Sequence, residues 1–218
     1  MNISIQQNIN FTSRNATIRR AEDIVRRANN AFPMQSNTKF KVMRGGWAKN
    51  FFAYENLSKK IFLMREYVDE KMSEAPNLID KFKIFASSVK KNKVGNCGEI
   101  STLALLAAKL NGIRGVYEAR LVTNKKALDH EVVFVNAEKP YIMDPWLGFA
   151  DYEQNAICRW KNEYKRYFNF EDEDWKNLRV VRYKDMGCSR DFDRELYPNE
   201  INSLRKLYPE LVLKNANK

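Results

Sequence analysis

The chain has 218 residues, 44% hydrophobic and 30% charged, which is enough to bury a core within one globular unit. No uninterrupted apolar run of about 18 residues occurs, which argues against a membrane-spanning helix, and no charged n-region precedes an apolar stretch at the start, which argues against Sec export. Three cysteines, Cys97, Cys158 and Cys188, cannot all pair within one chain and read as thiols of a reducing compartment.

The net charge of +11 is unevenly spread, because residues 1 to 50 hold nine Lys/Arg against two Asp/Glu. Residues 1–17 are rich in Asn, Ser, Gln, Thr and Ile, contain no acid and have no apolar period, so a disordered segment is expected there. Next, Ile18, Ala21, Val25 and Ala28 recur at helical spacing, with Arg19, Arg20, Arg26 and Arg27 on the other face and Thr17 as the expected N-cap. Such a basic amphipathic helix reads as a solvated surface helix or as a face for an acidic protein or anionic membrane. No signature of specific nucleic-acid binding accompanies the charge.

Helical periodicity continues at Leu57, Ile61, Met64, Val68 and Met72 behind Asn56, and at Leu78, Phe82, Phe85 and Val89 behind Asn77. After a basic linker, residues 90 to 93, a helix over 97–110 is apolar on nearly every side and is expected to be central and buried, ending at Asn111 and Gly112. Three β-branched and aromatic runs follow, 115–122, 130–136 and 141–146, which read as an antiparallel meander. Beyond them, 157–170 is expected to be helix, 178–183 a strand and 201–207 a short helix. The class is α+β, with residues 18–218 as a single domain.

The chain has a single histidine, so a thiol that needs an imidazole base has only His130 to use. A hairpin centred on residue 137 makes His130 and Asp144 cross-strand partners on one face, with the carboxylate within reach of the ring. Cys97 starts the buried helix, where unpaired N–H groups and the helix dipole favour a thiolate. Gly95 and Gly98 leave room for a substrate, and the backbone N–H groups of Cys97 and Gly98 are candidates to face an oxyanion. The resulting expectation is Cys97 as nucleophile, His130 as general base and acid, and Asp144 as the group that orients the ring. Trp146 is a candidate wall of the substrate groove. Glu99, in the first helical turn, is expected to complement the dipole. No paired Cys or Cys-x-His spacing indicates zinc, no cofactor is implied, and Cys158 and Cys188 receive no role.

The stretches GNCGE, LDHEVVFVN and YIMDPWLG resemble the Cys, His and Asp motifs of the papain-like and transglutaminase-like superfamily. The intervals, 33 residues from Cys97 to His130 and 14 from His130 to Asp144, are similar to those of bacterial effector and toxin glutamine deamidases. The arginine-glycine-glycine-x-cysteine motif of arylamine N-acetyltransferases is absent, since Arg44, Gly45 and Gly46 lie far from Cys97. The resemblance implies a buried nucleophile helix on an antiparallel sheet with surrounding helices. It also implies thioester chemistry on a host protein, most directly glutamine deamidation, with a cysteine protease or transglutaminase using the same residues. The composition of residues 1–17 resembles an uncleaved type III secretion signal, which implies delivery to a host cytoplasm. The alternative from another class is a non-catalytic protein that docks through Arg19, Arg20, Arg26 and Arg27.

Overall fold

The computed structural model describes residues 16–36, 51–124, 127–163, 172–187 and 191–214. Cys188 and residues 1–15 lie outside them. Helix α1 (Ala16–Ala31) buries Ile18, Ala21, Ile24, Val25 and Ala28, the stripe its spacing dictates. It begins at Ala16, so Thr17 is inside the helix rather than its cap. Helix α2 (Phe51–Glu74) likewise starts before Asn56, which is therefore an interior residue; Leu57, Ile61, Met64 and Val68 are its buried face. Helix α3 (Leu78–Asn92) packs against α2 and is capped by Asn77, whose side chain accepts the Asp80 N–H. Residues 90–92, expected as linker, form its last turn; the chain leaves the helix at Lys93 in the left-handed region, φ 53°.

Helix α4 (Cys97–Leu110) is buried over nearly its whole length and packs on α1, on the sheet and on α7 (Pro198–Leu207). Burying each of Leu103, Leu105, Leu106 and Leu110 contributes roughly 1.5–3 kcal/mol. Its C-terminal carbonyls are satisfied from outside the helix: Arg205 Nε donates to Leu110 O at 2.8 Å and Arg20 donates to Asn111 O.

Strands β1 (Val116–Val122), β2 (Ala127–Val135), β3 (Tyr141–Asp144), β4 (Phe149–Tyr152) and β5 (Arg179–Arg182) form one antiparallel sheet in the order β4-β3-β2-β1-β5. The third strand ends at Asp144 rather than 146, because Pro145 opens a turn in which the Gly148 N–H donates to Asp144 O at 2.8 Å and Gly148 takes φ +84°. That turn feeds β4, a strand too short to announce itself in the sequence. One face of the sheet, including Val116, Val133, Val135 and Met143, joins α1 and α4 in the main core. Ala119, Leu121, Val132, Ile142 and Phe149 on the other face pack with Trp160 of α5 (Glu153–Glu163) and Trp175 of α6 (Asp172–Lys176). Helix α5 starts earlier than the expected 157. The region expected as its C-terminal half, 164–170, lies outside the described residues.

Candidate active site

The β2–β3 pairs Val133↔Met143, Phe134↔Ile142 and Val135↔Tyr141 centre the hairpin on residue 138, one position past the expected 137. Each cross-strand partner therefore shifts by two residues, which preserves the face. His130 and Asp144 become diagonal neighbours instead of direct partners, and a long ring still spans that distance. His130 Nε2 lies 2.8 Å from Asp144 Oδ2.

A second irregularity aims the ring. Arg120 pairs with Glu131 and Val122 with Ala127, so Leu121 alone stands opposite residues 128–130. His130 sits in this bulge and beyond the last described β2–β3 pair. There the β2 chain is freed from strict alternation, and a ring on the α5 side can meet a helix start on the α4 side. The Cys97 thiol lies close enough to His130 to act on the protonation of the ring. With Nε2 turned to Asp144, Nδ1 is the nitrogen left to face the sulfur.

Three donors converge on Asp144, which is fully buried. His130 Nε2 and the Trp160 indole N–H both reach Oδ2 at 2.8 Å, and the Leu147 N–H donates to Oδ1 at 3.0 Å. Trp160 and Trp146 also hold the imidazole edge-on, with centroids 6.3 and 5.4 Å from its own. Burial alone would push the His130 pKa down. The Asp144 charge and hydrogen bond, followed by Cys97, outweigh it and push the pKa up to about 10. The ring is thus held as an imidazolium at neutral pH.

At the helix start, Asn96 caps α4. Its N–H donates to Glu99 Oε2 at 2.7 Å, and its side chain accepts from Ser36 Oγ at 2.8 Å. Ser36 in turn accepts the Trp146 indole N–H at 3.3 Å, and the preceding backbone bridges Gln35 to the 93–95 segment. Glu99 is buried and doubly bonded by Arg65 of α2. Burial would raise its pKa, but the Arg65 hydrogen bond and charge reverse that and keep it below the usual carboxylate range.

Cys97 and Gly98 border a cavity of about 480 Å³ between α2, the start of α4 and the strands β1 and β2. Its ionisable lining is Asp69, Glu99, Glu118, Glu131 and Asp191 against Arg65, an environment that favours cationic over anionic occupants. Gly98 does face this space. A Cβ there would come within 3.2 Å of the Glu131 carboxylate. Gly95 does not leave room for a substrate: a Cβ on it would stand 2.7 Å from Met34 Sδ and 3.0 Å from Glu99 Cβ, so its role is close packing beneath the helix start.

Trp146 is 5% exposed, packs against the His130 ring and is not among the residues that line this cavity. Cys158 is an exposed free thiol on α5. Of the four arginines of α1, Arg19, Arg20 and Arg26 are exposed and Arg27 is half-buried; Arg20 bonds Asn111 O, Arg27 bonds Glu210 O at 3.4 Å and Arg26 pairs with Asp23. Among the described residues no group of three or more His, Cys, Asp or Glu is placed to hold a metal ion, and no helix is long and apolar enough to cross a membrane. Trp160, Ser36 and Arg65 were not legible as site residues, because each reaches the site from an element whose placement the local pattern does not specify. No known family model matches the chain, and no curated protein is significantly similar to it.

Proposed function

We propose that the chain is a thiol-dependent amide hydrolase of the papain-like or transglutaminase-like class, and that it deamidates glutamine in a protein substrate. One observation carries the reading: a helix-start thiol borders a cavity, and beside it an imidazole is held by a fully buried carboxylate. In the proposed cycle the Cys97 sulfur attacks the side-chain amide carbon, and the C–O π pair moves to oxygen. The first-turn N–H groups of Cys97 and Gly98 face that oxyanion. The His130 proton passes to the amide nitrogen, the C–N bond breaks and ammonia leaves a thioester. Water then adds with loss of a proton to His130, the C–S bond breaks with the electron pair returning to sulfur, and a glutamate side chain and the original thiolate–imidazolium pair result. Asp144 holds the ring in the tautomer and orientation that both steps need. Host delivery and a bacterial source follow only from the resemblance and belong to this proposal.

A library of glutamine-containing peptides, read by mass spectrometry, tests it. Gln to Glu conversion that disappears in Cys97→Ala and His130→Ala supports the reading. Backbone cleavage would reassign the chain to a protease, and incorporation of an added primary amine to a transglutaminase. A Cys97 that iodoacetamide labels equally fast with and without His130 would end the enzyme reading.

A further inference from the structure

Arg65 belongs to α2, a helix that contributes none of the three proposed reacting residues, yet it reaches the wall of the cavity beside Cys97. Its Nε donates to Glu99 Oε1 at 2.6 Å and its Nη2 to Oε2 at 2.9 Å, a bidentate fork that fixes the carboxylate in plane as well as in position. The same Oε2 accepts the Asn96 N–H at 2.7 Å. Asn96 immediately precedes the nucleophile, so the chain from Arg65 through Glu99 to Asn96 fixes the turn that presents the sulfur.

Charge gives the contact a second consequence. Asp69 of α2, Glu118 of β1, Glu131 of β2 and Asp191 line the same cavity as Glu99, while Asp144 lies behind His130. Arg65 is the only Lys or Arg among the described residues that line it. A negative sulfur there stands among carboxylates, with the imidazolium on one side and this guanidinium on the other. The Glu99 hydrogen bond, set against burial and reinforced by the Cys97 and Glu131 charges, raises the Arg65 pKa above its ordinary value.

We infer that Arg65 is a positioning residue for the reaction proposed above: it clamps the Asn96–Cys97 turn through Glu99, and its charge offsets the acids that oppose a thiolate at Cys97. The inference rests on Cys97 being the nucleophile, and one experiment separates the two.

Iodoacetamide labelling is followed across pH by peptide mass spectrometry, with the exposed thiol of Cys158 as the reference inside each molecule. Arg65→Met leaves Glu99 uncompensated, so labelling of Cys97 relative to Cys158 falls about tenfold at pH 7 and its profile moves to higher pH. Arg65→Lys keeps the charge and stays within about threefold of wild type. Adding Glu99→Gln to Arg65→Met removes the stranded carboxylate and returns the pH profile to its wild-type position, while the lost clamp keeps the plateau labelling rate below wild type. Glu99→Gln alone moves the profile to lower pH, and this variant answers the question if Arg65→Met does not fold. A lower melting temperature in Arg65→Met with an unmoved profile, or an unmoved profile in Glu99→Gln, overturns the inference. If His130→Ala leaves Cys97 labelling unchanged, the nucleophile reading itself has failed. If His130→Ala slows labelling while the Arg65 and Glu99 variants do not shift it, only the positioning role is lost.

Discussion

Asp144→Asn exchanges one oxygen for an amide, and the three donors around Asp144 make that change costly. Asparagine has a single acceptor oxygen. With that oxygen toward His130 and Trp160, its NH₂ confronts the Leu147 N–H; turned the other way, it confronts the Trp160 indole N–H. Either rotamer leaves one or two donors unmatched, at about 1–3 kcal/mol each, so the variant should be about 1–6 kcal/mol less stable. For a chain of this size that is a drop in melting temperature of roughly 2–24 °C.

The same pair carries a pH signature, best read in Cys97→Ala, where no thiol competes for the proton. With the thiol present the folded imidazole is pushed up from 6.5 to about 10, chiefly through Asp144; without the Cys97 contribution Asp144 still holds it above 6.5, but short of that value. Between 6.5 and the raised folded value the folded state binds the proton and the unfolded state does not. The stabilisation is therefore complete below about pH 6.5 and is lost as pH rises through the folded pKa, with a limiting slope of about 1.4 kcal/mol per pH unit. Lys109 runs the other way, since burial among Phe192 and Arg194 carbonyls pulls its pKa to about 8, but it is common to both chains and cancels in their difference. Urea titrations from pH 6 to 10 on Cys97→Ala and on Cys97→Ala with Asp144→Asn measure that difference. Equal stability, or parallel pH profiles, would refute the account of Asp144 as a triply bonded anchor for His130.

Three further outcomes are expected. Trp160→Phe removes the indole donor to Asp144 and leaves space in the second core, so chemical denaturation should show a loss of about 2–4 kcal/mol, with slower Cys97 alkylation than wild type. Because the cavity lining is acidic, peptides with Lys or Arg beside the target glutamine should be converted faster than those with Asp or Glu. Their advantage should shrink between low and high salt, and equal rates would show that the lining does not read substrate charge. Gly115 has φ +64°, and a Cβ on it would lie 2.8 Å from the Asn136 carbonyl oxygen, so Gly115→Ala should cost about 1–3 kcal/mol. Calorimetry should register that loss while Cys97 labelling at a permissive temperature stays as in wild type.

Much of this arrangement is written locally. The all-round apolar character of 97–110, with Asn96 before it and Asn111 after it, specifies a buried helix that starts at a cysteine, because both the burial and the caps depend on residues within one element. A lone histidine and the 14-residue interval to Asp144 narrow the chemistry further. Even the displaced hairpin centre keeps His130 and Asp144 on one face, since a shift of a strand partner by two residues respects the pleat. Less was legible where ends of elements or distant partners mattered. Thr17 and Asn56 have the chemistry of N-caps, yet α1 begins at Ala16 and α2 at Phe51, because a cap preference worth about 1 kcal/mol does not by itself fix where a helix starts.

The bulge at residues 128–130, the convergence of Trp160 and Leu147 on Asp144, the burial of Trp146 against His130 and the hold of Arg65 on Glu99 were decided by the tertiary structure. Each joins groups from separate elements, and periodicity along a chain says which side of an element is apolar but not which neighbour will stand against it. The residue types able to perform the chemistry, and the helix start that carries the thiol, come from the sequence. Their distances, the protonation of the ring and the acidic cavity beside the thiol come from packing, which alone removes water and sets charges side by side.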